Sequence, residues 1–365
     1  MEEYTFSAED IAEFRELAGR FSRQTIQPYL NSEFSDGDMS KIDGIISAGK
    51  QAGLWADREN SLGIWGTDHS HAALSLEMLS ALASSCAGVA VLFHSNGLAQ
   101  RIFYDGGGSS GLPLLCALQE SERPPAARLF LSHNTTLKDE DPKGVLTRYF
   151  VPVPEKSGAL ITFTRRNGRI ALVLFELNKS VLKEERVRER LGLRACPLSH
   201  FHIAANATGL TLSEEATDLL RKGWYMHWLG LSAIAVGIAR GALKAAREYC
   251  RQRYQGGTVI RDHDAIQTLL VNAQTALYTA ESMLQHNRTL SDISPAHLTQ
   301  AAMTKLSVME LCASAVTDSL QTFGGYGYME DFGMEKRLRD MNTLRTMSGS
   351  PLYLRRLIFE LSEEL

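Results

Sequence analysis

The string Gln321-Thr322-Phe323-Gly324-Gly325-Tyr326-Gly327 places three glycines in four positions. Removing three of four Cβ atoms from so short a segment lets the main chain take φ > 0 without strain and lie directly against a bulky polar ligand. The residues before it, Pro295 to Thr322, have the apolar spacing of a long helix, so the turn would sit at a helix C-terminus. Phosphate loops of nucleotide enzymes instead follow a strand and open a helix, and the usual dinucleotide fingerprint fits poorly. The plain structural alternative is a glycine cap between two packed helices. The glycines alone leave both readings open.

The elements that must position this turn can be read along the chain. Ser7-x-x-Asp10 is a capping-box variant in front of Ile11, Phe14, Leu17, Ala18 and Phe21, which share one helix face that should end before Pro28. Helical spacing returns at 42–52, 70–83 and 87–102, with breaks at Gly63 to Gly66 and Gly106 to Gly111, predicting an N-terminal helical domain over residues 1–115. The period then changes. Segments 145–153 and 160–164 are rich in β-branched and aromatic residues, and Asn167-Gly168 between 159–164 and 170–175 supplies the two φ > 0 residues of a type I′ hairpin. The charged run 183–190 reads as a solvated surface before a closing strand at Phe201, giving a middle antiparallel β domain over 116–214. Residues 215–365 are periodic over 216–254, 263–287, 295–322 and 335–363, which predicts a C-terminal four-helix bundle, with Ser294-Pro295 as an N-cap followed by proline at N1. The expected fold is therefore mostly α with a small β domain.

Composition narrows the function classes. With 365 residues, 44% hydrophobic and 22% charged, the chain can bury more than one core and has no disorder signature. A net charge of −4 with dispersed basic residues suggests neither nucleic acid nor an anionic membrane as partner. The Met-Glu-Glu-Tyr start lacks a signal h-region and the apolar run Trp228 to Ala239 is too short to span a bilayer, so the expectation is a cytoplasmic protein without membrane insertion. Five cysteines, widely spread and in no CxxC arrangement, predict buried thiols and no metal site.

Taken together with Met329-Glu-Asp331 and Met334-Glu-Lys-Arg-Leu-Arg-Asp340, the block from Gln321 to Ser350 resembles the C-terminal signature of the acyl-CoA dehydrogenase family. The order of the three domains is similar too, and Gly237-Ile-Ala-Arg-Gly through Arg253-Tyr-Gln-Gly-Gly257 looks like the family helix that ends in an Arg-x-x-Phe-Gly turn. The resemblance implies FAD bound across a subunit contact, and so a homodimer or homotetramer. It implies that Arg253 reaches the FAD pyrophosphate, with Gln255, Ile260 and His263 lining the same cofactor. It puts Gln321, Thr322, Gly324 and Gly325 against an adenosine half, and Ser350 where a threonine hydroxyl would meet the cofactor. The implied substrate is an acyl thioester, carried by coenzyme A or a carrier protein and oxidised across Cα–Cβ, with an electron-transfer partner as acceptor. For His263 the bland alternative is a surface histidine at a helix start.

The same comparison marks departures. The family uses a glutamate as base for the α-proton. Where most members carry it, after the Arg339-Asp340 pair, this chain has Ser348; where a second branch carries it, on the first bundle helix, the chain has His227. A histidine could act as base near neutral pH, and an unaided serine could not; an aromatic-flanked histidine such as His227, in Gly223-Trp-Tyr-Met-His-Trp228, is more often structural. An Asp and an Arg that fix the acyl-CoA correspond to Tyr225 and Trp228. The pyrimidine-holding loop has no counterpart around Leu129-Phe-Leu-Ser-His-Asn-Thr135, and a flavin-backing strand survives as Tyr149-Phe150-Val151. These losses leave a derived flavin reaction, a catalytically silent subunit paired with an intact homologue in a hetero-oligomer, and a flavin-free scaffold as competing expectations.

Overall fold

The structure, a computed structural model, describes residues 6–30, 39–69, 71–109, 114–118, 146–153, 157–166, 169–177, 182–204, 207–287 and 289–363. Helix α1 (Ala8–Phe21) begins at the expected capping box, with the Asp10 N–H donating to Ser7 Oγ at 3.1 Å and the Ser7 N–H donating to the Asp10 carboxylate at 2.8 Å. The chain does not stop before Pro28. A π-helical stretch, Ser22–Ile26, carries it into α2 (Gln27–Leu30), which takes in Pro28. Helices α3 (Met39–Gln51), α4 (Ala73–Ala83) and α5 (Ala87–Asp105) follow, and every residue of α5 from Ala87 to Phe103 is buried.

Strands then take over, in two sheets. One has the order β1 (Leu114–Ala117), β3 (Ala159–Arg166), β4 (Arg169–Glu176), β7 (Leu210–Ser213); the other is β2 (Leu146–Pro152), β6 (Leu198–Ile203), β5 (Leu182–Arg186). The β3/β4 hairpin pairs Arg166 with Arg169 as its sequence predicts, while the two turn residues 167–168 lie outside the described residues. The expected all-antiparallel sheet is corrected in one place, since β1 runs parallel to β3. Period-two alternation explains why the first sheet is buried on both faces. Ile170, Leu172 and Leu174 of β4 point into the main helical core, whereas Ala171, Val173 and Phe175 join Phe201, Ile203 and Val151 in a separate core between the sheets. The charged run falls on β5, an exposed edge strand.

The bundle is built on α6 (Thr217–Gln252), α7 (Asp264–Gln285) and α8 (Pro295–Gln321), with a two-stranded hairpin, β8 (Tyr254–Gln255) and β9 (Thr258–Val259), between the first two. Ser294 caps α8 with proline at N1, as expected. The last periodic segment is two helices, not one: α9 (Met334–Thr346) and α10 (Pro351–Glu363) are separated at Met347 to Ser350. Ser348 (φ 54°) and Gly349 (φ 122°) leave the helical region and Pro351 cannot continue a helix it has no N–H to join, so among the described residues five α-helices follow Ser213. Helix α6 is, among the described residues, the one helix long and apolar enough to cross a membrane, and 83% of its apolar window is buried inside the molecule. All five cysteines are buried and free.

Candidate functional site

Two places gather the candidate residues. The first is the break between α9 and α10. His227, on α6, holds Ser348 by a 2.7 Å contact from its Nε2 to Oγ, so the family's two alternative base positions meet in this chain. His227 Nδ1 lies 2.9 Å from His94 Nε2 on α5, the two rings within 8° of coplanar, and His94 Nδ1 accepts from Trp65 Nε1–H at 2.7 Å. Helices α5 and α6 approach this closely because position 230 is glycine: a Cβ there would stand 2.3 Å from the His94 ring. Burial alone lowers the His94 pKa to about 3; His227 is lowered well below its ordinary value by burial, then by His94 and Lys305, so both rings are neutral at pH 7.

The Ser348 turn is pinned on every side. Trp228 Nε1–H donates to the Ser348 carbonyl at 3.1 Å, and the fully buried Lys305 of α8 donates to the carbonyls of Met347 and Gly349, each at 2.8 Å. Burial pulls Lys305 down to about 7. Three successive carbonyls in the break between α9 and α10 are thereby satisfied. Trp65 is also held in an unfavourable conformation, φ 60°, which for a tryptophan costs about 1–2 kcal/mol. Its N–H donates to Ser75 Oγ at 2.8 Å, and His69 Nδ1 lies 2.8 Å from the same oxygen.

This geometry corrects the reading of His227 as a base. Both of its ring nitrogens are engaged by protein groups, leaving no lone pair for a substrate proton, and among the described residues no carboxylate is hydrogen-bonded to His94, His227 or Ser348. Ser348 is likewise no base. Tyr225 and Trp228, where charged groups would clamp an acyl-CoA, are fully buried. The tryptophan there anchors the Ser348 turn instead.

The second place is the C-terminal end of α6. Arg253 caps that helix, and its guanidinium carbon sits 5.4 Å above the Tyr326 ring in the 3₁₀ turn Gly324–Tyr328, so residues 73 positions apart are brought together. The Tyr249 and Phe323 rings stack at 4.3 Å beneath them and Phe332 packs edge-on, clamping the turn to the helix end. The hairpin turn uses Gly256 (φ 67°) and Gly257 (φ 90°), folding the chain back so that the Ile260 N–H donates to the Arg253 carbonyl at 2.8 Å and His263 Nε2 to the Gln255 carbonyl at 3.0 Å. His263 is thus the helix-start residue that the bland alternative describes, at the N-cap of α7. Gln255 and Gln321 are exposed and Ile260 is buried. Thr322 is buried, its hydroxyl donating to the Ser319 carbonyl at 2.7 Å. Ser350 belongs to the first place, where its Oγ accepts the Tyr353 N–H at 3.3 Å and starts α10. Around Arg253 lie exposed aromatic rings, with Tyr328 84% and Tyr254 66% open to solvent.

Three residues that the sequence did not single out complete the buried centre: Trp65, His94 and Lys305. Their signal was available, a lone histidine in Val89-Ala-Val-Leu-Phe-His94 and a lone lysine in the apolar stretch Ala301 to Val308. The loop around Leu129 to Thr135 lies outside the described residues. Tyr149 and Phe150 sit at a β-bulge, where the Phe150 N–H donates to His200 Nδ1 at 3.2 Å.

Residues 224–361 match the family model described as acyl-CoA dehydrogenase, C-terminal domain. The whole described fold superposes on butyryl-CoA dehydrogenase from Megasphaera elsdenii, at a TM-score of 0.76 and 19% identity over 99% of this chain and 100% of the other. The bundle carries that family's C-terminal domain, and the chain as a whole has the butyryl-CoA dehydrogenase fold. A further solved fold of the same kind, PigA with FAD and proline, aligns at a TM-score of 0.79 and 18% identity over 99% of both chains. Cyclohexane-1-carbonyl-CoA dehydrogenase of Geobacter metallireducens is 28% identical over 193 residues, so this chain spans about half (51%) of that relative's length in the match, itself 51% of this chain. The match to the family model lies in the bundle, which carries both candidate places, Arg253 with the glycine turn and His227 with Ser348.

Proposed function

We propose that the protein is a flavin-dependent oxidoreductase of the acyl-CoA dehydrogenase type, holding FAD at Arg253 and Gly324-Gly325 and acting on an acyl thioester. The observation that carries this reading is the Arg253 guanidinium: it rests on Tyr326, has no carboxylate partner among the described residues, and stands beside glycine backbone at 324 and 325. A planar fork of donors suits two adjacent phosphates. Added Cβ atoms at Gly324 and Gly325 would meet nothing of their own chain, as expected of backbone reserved for something else. A bound flavin would supply two-electron redox chemistry at this fold. The chain's own part is to grip the diphosphate with Arg253 and to present apolar rings, Tyr254, Tyr326, Tyr328 and Phe332, to a second subunit that closes over the cofactor. Since His227 and Ser348 offer no base, the reaction we infer is a derived one that does not draw the α-proton to either family position.

The same missing base favours a second reading, a subunit that contributes its cofactor surface to an intact homologue. Flavin content separates the alternatives. Purified protein should absorb near roughly 450 nm, and Arg253→Ala should lower flavin per chain about tenfold with an unchanged helical circular dichroism signal, as loss of a charge-assisted bidentate contact predicts. Equal occupancy in the variant would remove Arg253 from the cofactor site. Turnover of acyl thioesters only after co-expression with a homologous subunit would establish the second reading.

A further inference from the structure

The hydrogen-bond path ending at Ser348 has a direction, and Trp65 sets it. An indole N–H can only donate, so His94 Nδ1, 2.7 Å away, is an acceptor without a proton. His94 is neutral and fully buried, and its one ring proton therefore sits on Nε2. That proton points at His227 Nδ1, 2.9 Å away, so Nδ1 accepts. His227, neutral in turn, carries its proton on Nε2 and donates it to Ser348 Oγ at 2.7 Å. The serine oxygen receives from behind, and its own O–H is left to donate forward.

The distances by themselves are those of a nucleophilic triad, with a serine oxygen on His Nε2 and a third group on His Nδ1. The polarity is reversed. In a triad the third group accepts from Nδ1–H and frees Nε2 to take the hydroxyl proton; here the third group donates to Nδ1. Turning the path around would place a proton on His94 Nδ1 against the Trp65 Nε1–H, confronting two donors in a fully buried place. Trp65 cannot swing away, since its N–H is held by Ser75 Oγ; Ser75 in turn donates to His69 Nδ1, whose Nε2–H donates to the Leu62 carbonyl at 3.0 Å.

We propose that Ser348 is a fixed hydrogen-bond donor, directed by Trp65 through His94 and His227, that binds the carbonyl oxygen of the acyl thioester and acts neither as nucleophile nor as base. The direction stands on the structure alone, and the carbonyl as its target rests on the function proposed above. Trp65, His94 and His227 are positioning residues, and Ser348, with 7% of its surface open, is the one that touches the ligand.

The test reads the direction and the target separately. In full-length protein labelled with ¹⁵N-histidine, the His94 and His227 resonances, assigned with His94→Gln and His227→Gln, should report neutral rings protonated at Nε2 from pH 6 to 8. A proton on His227 Nδ1 overturns the direction. Glutamine at position 94 can accept from Trp65 and donate to His227, so His94→Gln should leave the His227 tautomer unchanged; His94→Glu can only accept and should move that proton to Nδ1. If the glutamate variant does not fold, Trp65→Phe provides the same release. For the target, wild type should bind acetyl-pantetheine about five- to tenfold more tightly than the S-ethyl thioether that lacks the carbonyl, the worth of one neutral hydrogen bond. Ser348→Ala should abolish that preference while leaving thioether binding intact. An absent preference in wild type, or one retained in Ser348→Ala, overturns the carbonyl assignment. Every arm uses the protein as purified, with its flavin content read from the same sample, so failure of the flavin reading is recognised separately.

Discussion

The two ends of the candidate site are built on opposite principles. At Arg253 the chain leaves donors, bare backbone and aromatic rings turned outward with little of its own to meet them. At Ser348 every polar group behind the hydroxyl is matched by another from the same chain, and each member of the path is buried. An open end is a request for a partner molecule, because exposed apolar rings and unfilled donors gain by being covered. A closed centre is already complete, so it can only orient what arrives. Within one fold, the Arg253 end leaves its donors and backbone uncovered, while the Ser348 end has each of its polar groups already matched.

Glycine offers the sharpest way to break that contrast, and the largest effect is expected at the closed end. Gly230→Ala would push a methyl to within 2.3 Å of a His94 ring fixed at both nitrogens. Neither helix can yield without breaking the path, so the variant should lose about 3 kcal/mol in urea unfolding, the upper part of the range for overpacked cores. A loss under 1 kcal/mol would mean that the centre is looser than its hydrogen bonds imply.

Acid should be felt at the same end. His69 is depressed to about 4 and His94 to about 3, chiefly by burial. Such histidines take up protons in the unfolded chain before they do so in the folded one. Their contribution to stability is therefore complete above pH 6.5 and is lost as the pH falls toward 4 and 3. Between pH 7 and 5.5 each should cost about 1 kcal/mol, visible as a falling urea midpoint. A flat midpoint across that window would place a charge or water near one of the rings.

How much of this was legible differs between the two ends for a physical reason. The open end is local: the glycine string and the helix ending at Arg253 are each continuous in sequence, and residue type there speaks directly of backbone freedom and charge. The hairpin at Asn167-Gly168 and the caps at Ser7 and Ser294 were readable on the same grounds. The closed centre draws on five distant segments, the loop at Trp65, α5, α6, α8 and the break after α9, and no local pattern announces that His94 and His227 will meet. The break itself was hidden because Glu335 to Glu363 keeps helical spacing across it; only Pro351 after Gly349-Ser350 pointed to an interruption. The parallel β1 and β3 pairing escaped for the same reason, since it joins segments separated by a long connection.

The smallest expected effect tests the open end most cleanly. Gly325 has an ordinary φ, and a Cβ there would touch nothing in its own chain. Gly325→Ala should therefore leave unfolding stability within about 0.5 kcal/mol of wild type, as for surface positions free of contacts. If the backbone is bare because a cofactor or second subunit lies against it, the added methyl will intrude on that occupant alone. Flavin retention on dilution should then fall several-fold while the urea midpoint stays put. A variant that keeps both its midpoint and its flavin would show that nothing approaches this backbone closely, and the glycine would be a helix cap with no further purpose.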